Sequence, residues 1–510
     1  MDQSALLRYG SRVLLAGLVL SAVSGSPAAA APVSKATVPA LAPAAPEATE
    51  KAKASSLSSS KKAVDELAFE VRQESFLNRE KPPAGVPDYT QIGAHFRTET
   101  EGRTFRGTLE LGGSFSTSVE NYTNIYVPEA FLDWRTGSWE EGEITGDLRA
   151  RVSVGRRLET WSLLDRSWDL GLWEPLNRFD ALRPIDQGLT GFFVDAGSGN
   201  TKITLFLSSL YIPEQGASFT LQNGRIQSSN PWFVEPSDRL ILFQESTSIQ
   251  YDIQTPSVGS VINQASGGLL VRYGELEKGA YAQASYIFKP RNQLAIPFEA
   301  ALDLTDTASF ASVSVHPEVV YHQLIGFESG YSGETFTAGL SGLGDFPINR
   351  ESGPTFTYQE LDPLMLLSPH LDGHFDLGAA SDLSLGVSYL ASTGGGATTR
   401  GRFASEKGVF GPRTPWAQAV AVDGRVVVGR GRRTTWSFGG RWLEELSEQG
   451  SLLMADAGCD FALKGATTQD WRVSLAADVL GSRKASNENQ GYLSQYRGND
   501  RIMSQLRFIF

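Results

Sequence analysis

From about residue 88 to the end of the chain, apolar and polar residues alternate with a period of two, segment after segment. Phe105, Leu109, Leu111 and Phe115 share one parity, while Arg106, Thr108, Glu110 and Ser114 take the other. Successive side chains of an extended strand point to opposite faces, so each such segment predicts a strand with one apolar and one polar side. The same division sets Ala150, Val152 and Val154 against Arg149, Arg151 and Ser153, and Ile203, Leu205 and Leu207 against Lys202, Thr204 and Ser208. It recurs in Leu383, Leu385, Val387 and Tyr389, in Trp436, Phe438 and Trp442, in Leu453, Ala455, Ala457, Cys459 and Phe461, and in Trp471, Val473, Leu475 and Val479. The segments run roughly 9–12 residues, the length of a tilted membrane-crossing strand and longer than the usual ~5–6 of soluble sheets. Tyr126, Trp134, Tyr211, Trp416, Trp442 and Trp471 fall near segment ends, where a membrane barrel carries its interfacial aromatic girdles.

The expected fold is therefore all-β: a transmembrane, antiparallel, up-and-down β-barrel occupying 88–510. Roughly 420 residues at about 24 per strand and connection predict about 16 to 18 strands, with 18 the even number nearest the segments traced. Long connections are expected at about 156–188, 212–245, 289–307, 345–368, 392–415 and 482–499, extracellular or folded into the lumen. Asp423-Gly424 and the Ala380-Ser381 corner suit tight hairpins on the periplasmic side. A cylinder this wide cannot be filled by its own side chains, so its lumen is water-filled or loop-plugged.

The chain before residue 88 has another character. Residues 1–30 carry Arg8 and Arg12, a mainly apolar run from Val13 to Val23, and Ala28-Ala29-Ala30, the layout of a cleaved secretory signal. The apolar run, about 11 residues, is short of the ~20 needed to cross a bilayer. Residues 31–61 are rich in Ala, Pro, Ser and Lys, too poor in large apolar side chains to offset their ordering entropy, and predict a disordered periplasmic linker. In 62–87, Val64, Leu67, Val71 and Phe76 give a weak helical period ended by Lys81-Pro82-Pro83, which predicts a short helix or plug segment.

Composition sharpens this picture. The 510 residues include 52 Gly, 27 Phe, 15 Tyr and 10 Trp but only 4 Met, which favours glycine-punctuated, aromatic strands over helices. Mean hydropathy is −0.19, too low for a helical membrane protein but natural for a barrel in which every second residue meets lipid. The formal charge of −12 and the lack of a basic patch argue against nucleic acid as a partner. One cysteine, Cys459, excludes a disulfide framework and reads as a small lipid-facing residue.

Candidate chemistry lies on the polar parity. Arg97, Arg106, Glu110, Glu129, Asp133, Arg135, Arg149 and Arg151 are expected to line the lumen, either as opposed basic and acidic ladders that orient and select solutes or as charges that neutralise one another. Trp161, Asp165, Trp168, Trp173 and Asp180 fall in the long 156–188 segment, expected to fold inward and narrow the pore. His370, Asp372, His374 and Asp376, spaced by two, are a weak candidate for a zinc- or calcium-like ion, with a polar lumen surface the blander reading. No cofactor is expected, and no GxSxG elbow, P-loop or HExxH motif points to an enzyme.

Two resemblances bear on location and role. The alternation of Ile502, Leu506, Phe508 and Phe510, ending on Phe510, resembles the C-terminal signature by which Gram-negative outer-membrane barrels reach their assembly machinery, with Leu506, Phe508 and Phe510 as the signal. Gly155, Arg156, Trp161, Ser162, Asp165, Pro175, Asn177 and Asp180, together with Gln495 to Arg501, are similar to a pattern in porin-like and alginate-export-like outer-membrane proteins. Arg157 departs from that pattern, where Gln is expected. The resemblance implies an outer-membrane passage for hydrophilic solutes or secreted polysaccharide. The alternative is a structural barrel of a trans-envelope complex for adhesion, export or gliding motility, docked to a periplasmic partner through 31–80.

Overall fold

The computed structural model describes residues 64–77, 88–102, 104–119, 122–136, 149–242, 245–304, 309–349, 358–378, 381–400, 413–429, 434–447, 449–462, 470–482 and 491–510. The expected signal segment and the 31–61 linker lie outside them. Eighteen antiparallel strands close into one barrel. They are β1 (Val64–Phe76), β2 (Asp88–Glu101), β3 (Phe105–Ser116), β4 (Thr123–Arg135), β5 (Arg149–Arg157), β6 (Leu189–Ser198), β7 (Thr201–Ser208), β8 (Ser266–Glu275) and β9 (Lys278–Pro290). The circuit continues through β10 (Tyr321–Ser332), β11 (Phe336–Pro347), β12 (Leu364–Gly378), β13 (Ser381–Gly394), β14 (Gln418–Val428), β15 (Thr434–Glu445), β16 (Gly450–Ala462), β17 (Asp470–Ser482) and β18 (Arg501–Ile509). Each strand pairs with the next, and β18 pairs with β1 to close the ring.

The sequence parity is the wall's inside and outside. On the outer face Ile125 is 68% exposed, Leu475 56% and Trp134 53%, with Leu205, Phe327, Val387, Phe438 and Leu453 likewise bare. In water such an apolar belt would forfeit the burial that stabilises a soluble sheet, whereas hydrocarbon is its natural solvent. Closure completes the fit, because no strand edge is left unpaired in lipid. The cylinder is a membrane-spanning wall.

The six longest connections, 158–188, 209–265, 291–320, 348–363, 395–417 and 483–500, all leave from one end of the barrel. The links 199–200, 276–277 and 333–335 lie at the other, short-turn end, as in the expected division of long loops from tight hairpins. At the long-loop end, segments Arg239–Leu242, Glu245–Ile253, Ser309–Val315 and Phe298–Leu304 build an accessory four-stranded sheet.

Several expectations are corrected. The 62–87 segment holds no helix among its described residues: Val64–Phe76 is the barrel's first strand, so the barrel begins before residue 88. Leu67, Phe69 and Val71 face outward while Ala68, Glu74 and Phe76 are buried on the inner side. Leu67 and Val71 satisfy both a helical and a strand period, and the charged inner face hid the second. Asp423-Gly424 is no hairpin but lies within β14, paired to Gly386 and Leu385 on one side and to Arg441 and Gly440 on the other. Gly424 lacks the positive φ that a tight turn of that type needs. Of the expected Ala380-Ser381 corner, Ala380 lies outside the described residues, and Ser381 at the start of β13 pairs with Gly378 at the end of β12. Of the expected girdle, Trp134 and Trp442 are exposed on the outer face, and Trp471 packs against Phe508 with the rings tilted by 40°. Tyr126 instead points inward over Gly112, and Tyr211 and Trp416 are buried in the long loops.

Candidate functional site

The segment after β5 turns into the lumen and crosses it. At Gly155 the backbone takes φ +127°, and a Cβ there would sit 2.2 Å from the Ala130 carbonyl oxygen, so no other residue fits this approach. The turn aims both Arg156 and Arg157 inward, and both are buried. Trp161, Trp168 and Trp173 are 1% or less exposed. Trp161 and Trp173 stack 5.8 Å apart at 6°, and Trp161 meets Phe206 of β7 edge-on. Burying three indoles inside a polar barrel requires that the segment's own backbone be satisfied. Ser162 caps the short helix α1 (Leu163–Ser167) by accepting from the Asp165 amide at 3.2 Å. The Asp165 carboxylate accepts from the Leu172 and Trp173 amides, each at 2.9 Å, and pins the next turn.

The segment is tied to the wall around the circuit, which makes it a diaphragm. Asn177 donates to Asn124 beside β4 at 2.8 Å, and Arg272 of β8 and Gln283 of β9 donate to the Thr160 carbonyl. Glu328 of β10 accepts from the Leu163 amide at the start of α1. Trp168 Nε1 donates to Ser368 of β12 at 3.0 Å, and Arg441 of β15 donates to the Ser167 carbonyl at 2.7 Å. Arg183 pairs with Asp478 of β17 and Asp180 with Arg501 of β18, each at 2.7 Å. On the long-loop side, Trp416, Tyr492, Tyr496, Trp232, Phe76, Tyr89, Tyr122 and Phe179 follow one another at ring separations of 4.6 to 6.1 Å, an aromatic seal around its rim.

The expected lumen charges all face inward, but as neighbours rather than as opposed ladders. Arg97 and Glu110 are 3.7 Å apart, and His95 bonds Glu110 at 3.1 Å. Arg106 pairs with Glu99 at 2.8 Å, and Arg135 with Glu101 at 3.3 Å. Arg151 lies 3.9 Å from Asp133 and 2.7 Å from Asp195, which also takes Arg157 at 2.9 Å. Glu129 accepts from the Leu158 amide at 3.0 Å, where the diaphragm leaves the wall. Arg149 shares the inward parity of Arg151 at the short-turn end. On this side of the lumen the charges neutralise one another along the wall, and the reading as a transverse field finds no support in their pairing.

His370, Asp372, His374 and Asp376 are strung along the inner face of β12, and among the described residues no three potential ligands converge on one point. The C-terminal residues meet their expected setting: Leu506 is exposed on the outer face, and Phe510 packs against Phe508 at 4.4 Å and against Phe69 of β1 at 5.7 Å. Residues that the alternation did not single out include Glu74, Glu328, Arg441 and Arg501, while Asp478 falls on the polar parity but is not marked there as a site. Arg501 stood in one quoted motif and Asp180 in the other, and only the fold brings them into one ion pair.

Two diaphragm carboxyls carry a pH prediction. Burial pushes the Asp165 carboxyl up to about 6, and burial does the same for Asp169, also to about 6. The folded state then holds protons that the unfolded chain releases near pH 4, so diaphragm stability falls as pH rises from about 4 through about 6 and levels off above. Limited proteolysis of 158–188 across pH 4 to 7 is expected to quicken over that interval. Asp169→Asn, which also suits the φ of 50° at this position, is expected to flatten part of the change.

No family model matches the sequence, and no curated protein matches it either. Among solved structures, the chain is similar to OccK2 (OpdF) of Pseudomonas aeruginosa at 8% identity, with 88% of this chain and 97% of that one covered and a TM-score of 0.43. A BenF-like porin from Pseudomonas fluorescens Pf-5 gives 8% identity, 88% and 98% coverage and a TM-score of 0.44. Wzi of Escherichia coli, described as an outer-membrane, carbohydrate-binding β-barrel involved in group 1 capsule assembly, gives 12% identity, 88% and 85% coverage and a TM-score of 0.41. At these values the likeness is one of barrel to barrel, and no solute or partner carries over from it.

Proposed function

We propose that this outer-membrane barrel is a channel for hydrophilic solutes in which the 158–188 diaphragm, rather than the width of the cylinder, sets what passes. One observation carries the reading: an aromatic loop folded across a wide lumen whose inner face is polar and charge-paired. A wall that served only to anchor other proteins would have no use for a lumen kept polar and then narrowed. The bonded rim favours small solutes over a polysaccharide, whose sugar rings need a wider gap. The docking alternative rests on 31–80, of which Val64–Phe76 is the barrel's first strand and 31–63 and 78–80 lie outside the described residues.

In planar bilayers the intact protein is expected to conduct in small unitary steps. Deleting 160–186 is expected to raise the step several-fold, toward that of an open eighteen-strand pore. A correctly folded barrel that stays silent after this deletion overturns the channel reading.

A further inference from the structure

The diaphragm's joint with the wall is not uniform. Along β17 and β18 the diaphragm's Arg183, 23% exposed, bonds Asp478 at 2.7 Å and its Asp180 meets Arg501 at 2.7 Å, the wall residues Asp478 and Arg501 both being 0% exposed. Between β12 and β17 the joint is made by Arg441 of β15, whose side chain is 24% exposed. Its guanidinium donates to the Ser167 carbonyl, stands 3.6 Å from Asp169 and 3.5 Å from Asp423, and lies 5.9 Å from the centre of the Trp168 ring. Beside it the packing opens. A small cavity separates the diaphragm from β15 and β16, walled by Asp169, Arg178, Trp416, Arg441, Met454 and Tyr492. About 20 Å³ of it has room for water, one or two molecules.

The strand register adds a charge pattern at the same level. Asp372, Gly386, Asp423 and Arg441 are successive partners across β12 to β15. Gly386 has no side chain, and a Cβ there would lie 2.6 Å from Asp372 Oδ1, so the carboxylate of Asp372 leans across it toward β14. Two carboxylates, Asp169 and Asp423, thus flank one arginine, and a third, Asp372, stands beyond Asp423 on the same inner face.

We infer that the passage runs through this joint, along the inner face of β14 to β16, and that Arg441 gates it and sets its charge preference. The inference rests on the channel reading and names its solute class, small hydrophilic cations. Arg441 is partly exposed and held by one hydrogen bond to the Ser167 carbonyl at 2.7 Å and by carboxylates no nearer than 3.5 Å, so it is released more readily than an arginine in a buried, closely paired cluster. Swung aside, it joins the pocket to the short-turn half of the lumen. With Arg441 aside, Asp169, Asp423 and Asp372 line the gap, while the other cation of the pocket wall, Arg178, is held by Glu214, and a constriction so lined admits cations over anions.

The test is conductance and reversal potential of the full-length protein in planar bilayers under a KCl gradient. Arg441→Gln is expected to raise the unitary conductance about threefold and to shift the reversal potential toward that of a cation-selective pore. Arg441→Lys, which keeps the charge without the planar fork, is expected to conduct more than the native protein with its selectivity unchanged. Asp423→Asn is expected to shift selectivity toward anions. Native-like heat-modifiable gel mobility shows that each variant is folded. If these variants behave as the native protein does while deletion of 160–186 opens the pore, the passage lies elsewhere and the Arg441 assignment is wrong. If the deletion is silent too, the channel reading falls and takes this inference with it.

Discussion

Deleting residues 31–80 is expected to abolish barrel formation, whereas deleting 31–60 leaves it intact. The longer deletion removes β1, which pairs with β2 from Val64 to Ser75 and with β18 from Ala68 to Phe76. Without it the barrel has two bare edges in hydrocarbon, and each unsatisfied backbone group there costs several kcal/mol. A few such groups exceed the whole ~5–15 kcal/mol by which a folded domain is stable. Phe510 also loses Phe69, on which its ring packs, and the Phe510 amide loses the Leu67 carbonyl it bonds at 2.8 Å. Heat-modifiable gel mobility and protease resistance after refolding in detergent distinguish the two deletions. Equal folding of both would mean that Val64–Phe76 does not close the ring. The result also bears on any docking role of the N-terminal region, because function lost on deleting 31–80 reflects a broken wall, and only the 31–60 deletion tests a partner.

The second large effect is expected at Arg501. Its guanidinium is 0% exposed and meets Asp180 of the diaphragm at 2.7 Å, Asp478 of β17 at 2.8 Å and Glu74 of β1 at 3.2 Å, with the Trp232 ring 4.6 Å away. One side chain thus joins the last strand, the first strand, their neighbour and the diaphragm. Arg501→Met leaves buried carboxylates short of their cation and is expected to destabilise the barrel by about 3–5 kcal/mol, read as a lower midpoint in urea unfolding. Arg183 still reaches Asp478 and Arg72 still stands 3.1 Å from Glu74, so Asp180 bears most of the loss. Adding Glu74→Gln and Asp180→Asn to Arg501→Met is expected to recover much of the stability, since neutral amides are cheaper to bury than unpaired carboxylates. Arg501→Met with an unchanged midpoint would show that the cluster is not a clasp.

Much of the wall was legible in advance because a membrane barrel writes its fold into a two-residue alternation. Lipid on one side and a polar lumen on the other select the side chain at every position, so parity alone oriented Arg97, Glu110, Asp133 and Arg151 inward and Leu205, Val387 and Leu475 outward. Where the same residues satisfied two periods, as Leu67 and Val71 do, the reading went to a helix and the strand was missed. Trp416 and Tyr211 show a second limit: an aromatic residue near a strand end suits a lipid interface and a loop interior equally well, and here both rings are buried. The four-residue His/Asp row of β12 shows a third, since shared facing does not make residues near enough to hold one ion.

By itself, then, the sequence determined the class of fold, the facing of most wall residues, the long loops, and an aromatic segment able to fold inward. These are local or periodic properties, set by the medium each side chain meets. Only the tertiary structure decided which strand closes the ring, that acids and bases of the wall pair as neighbours, and where the diaphragm is clasped or loose. Those facts depend on the register of eighteen strands, which brings Glu74, Asp180, Asp478 and Arg501 together from distant parts of the chain, and no pattern along the chain encodes that meeting.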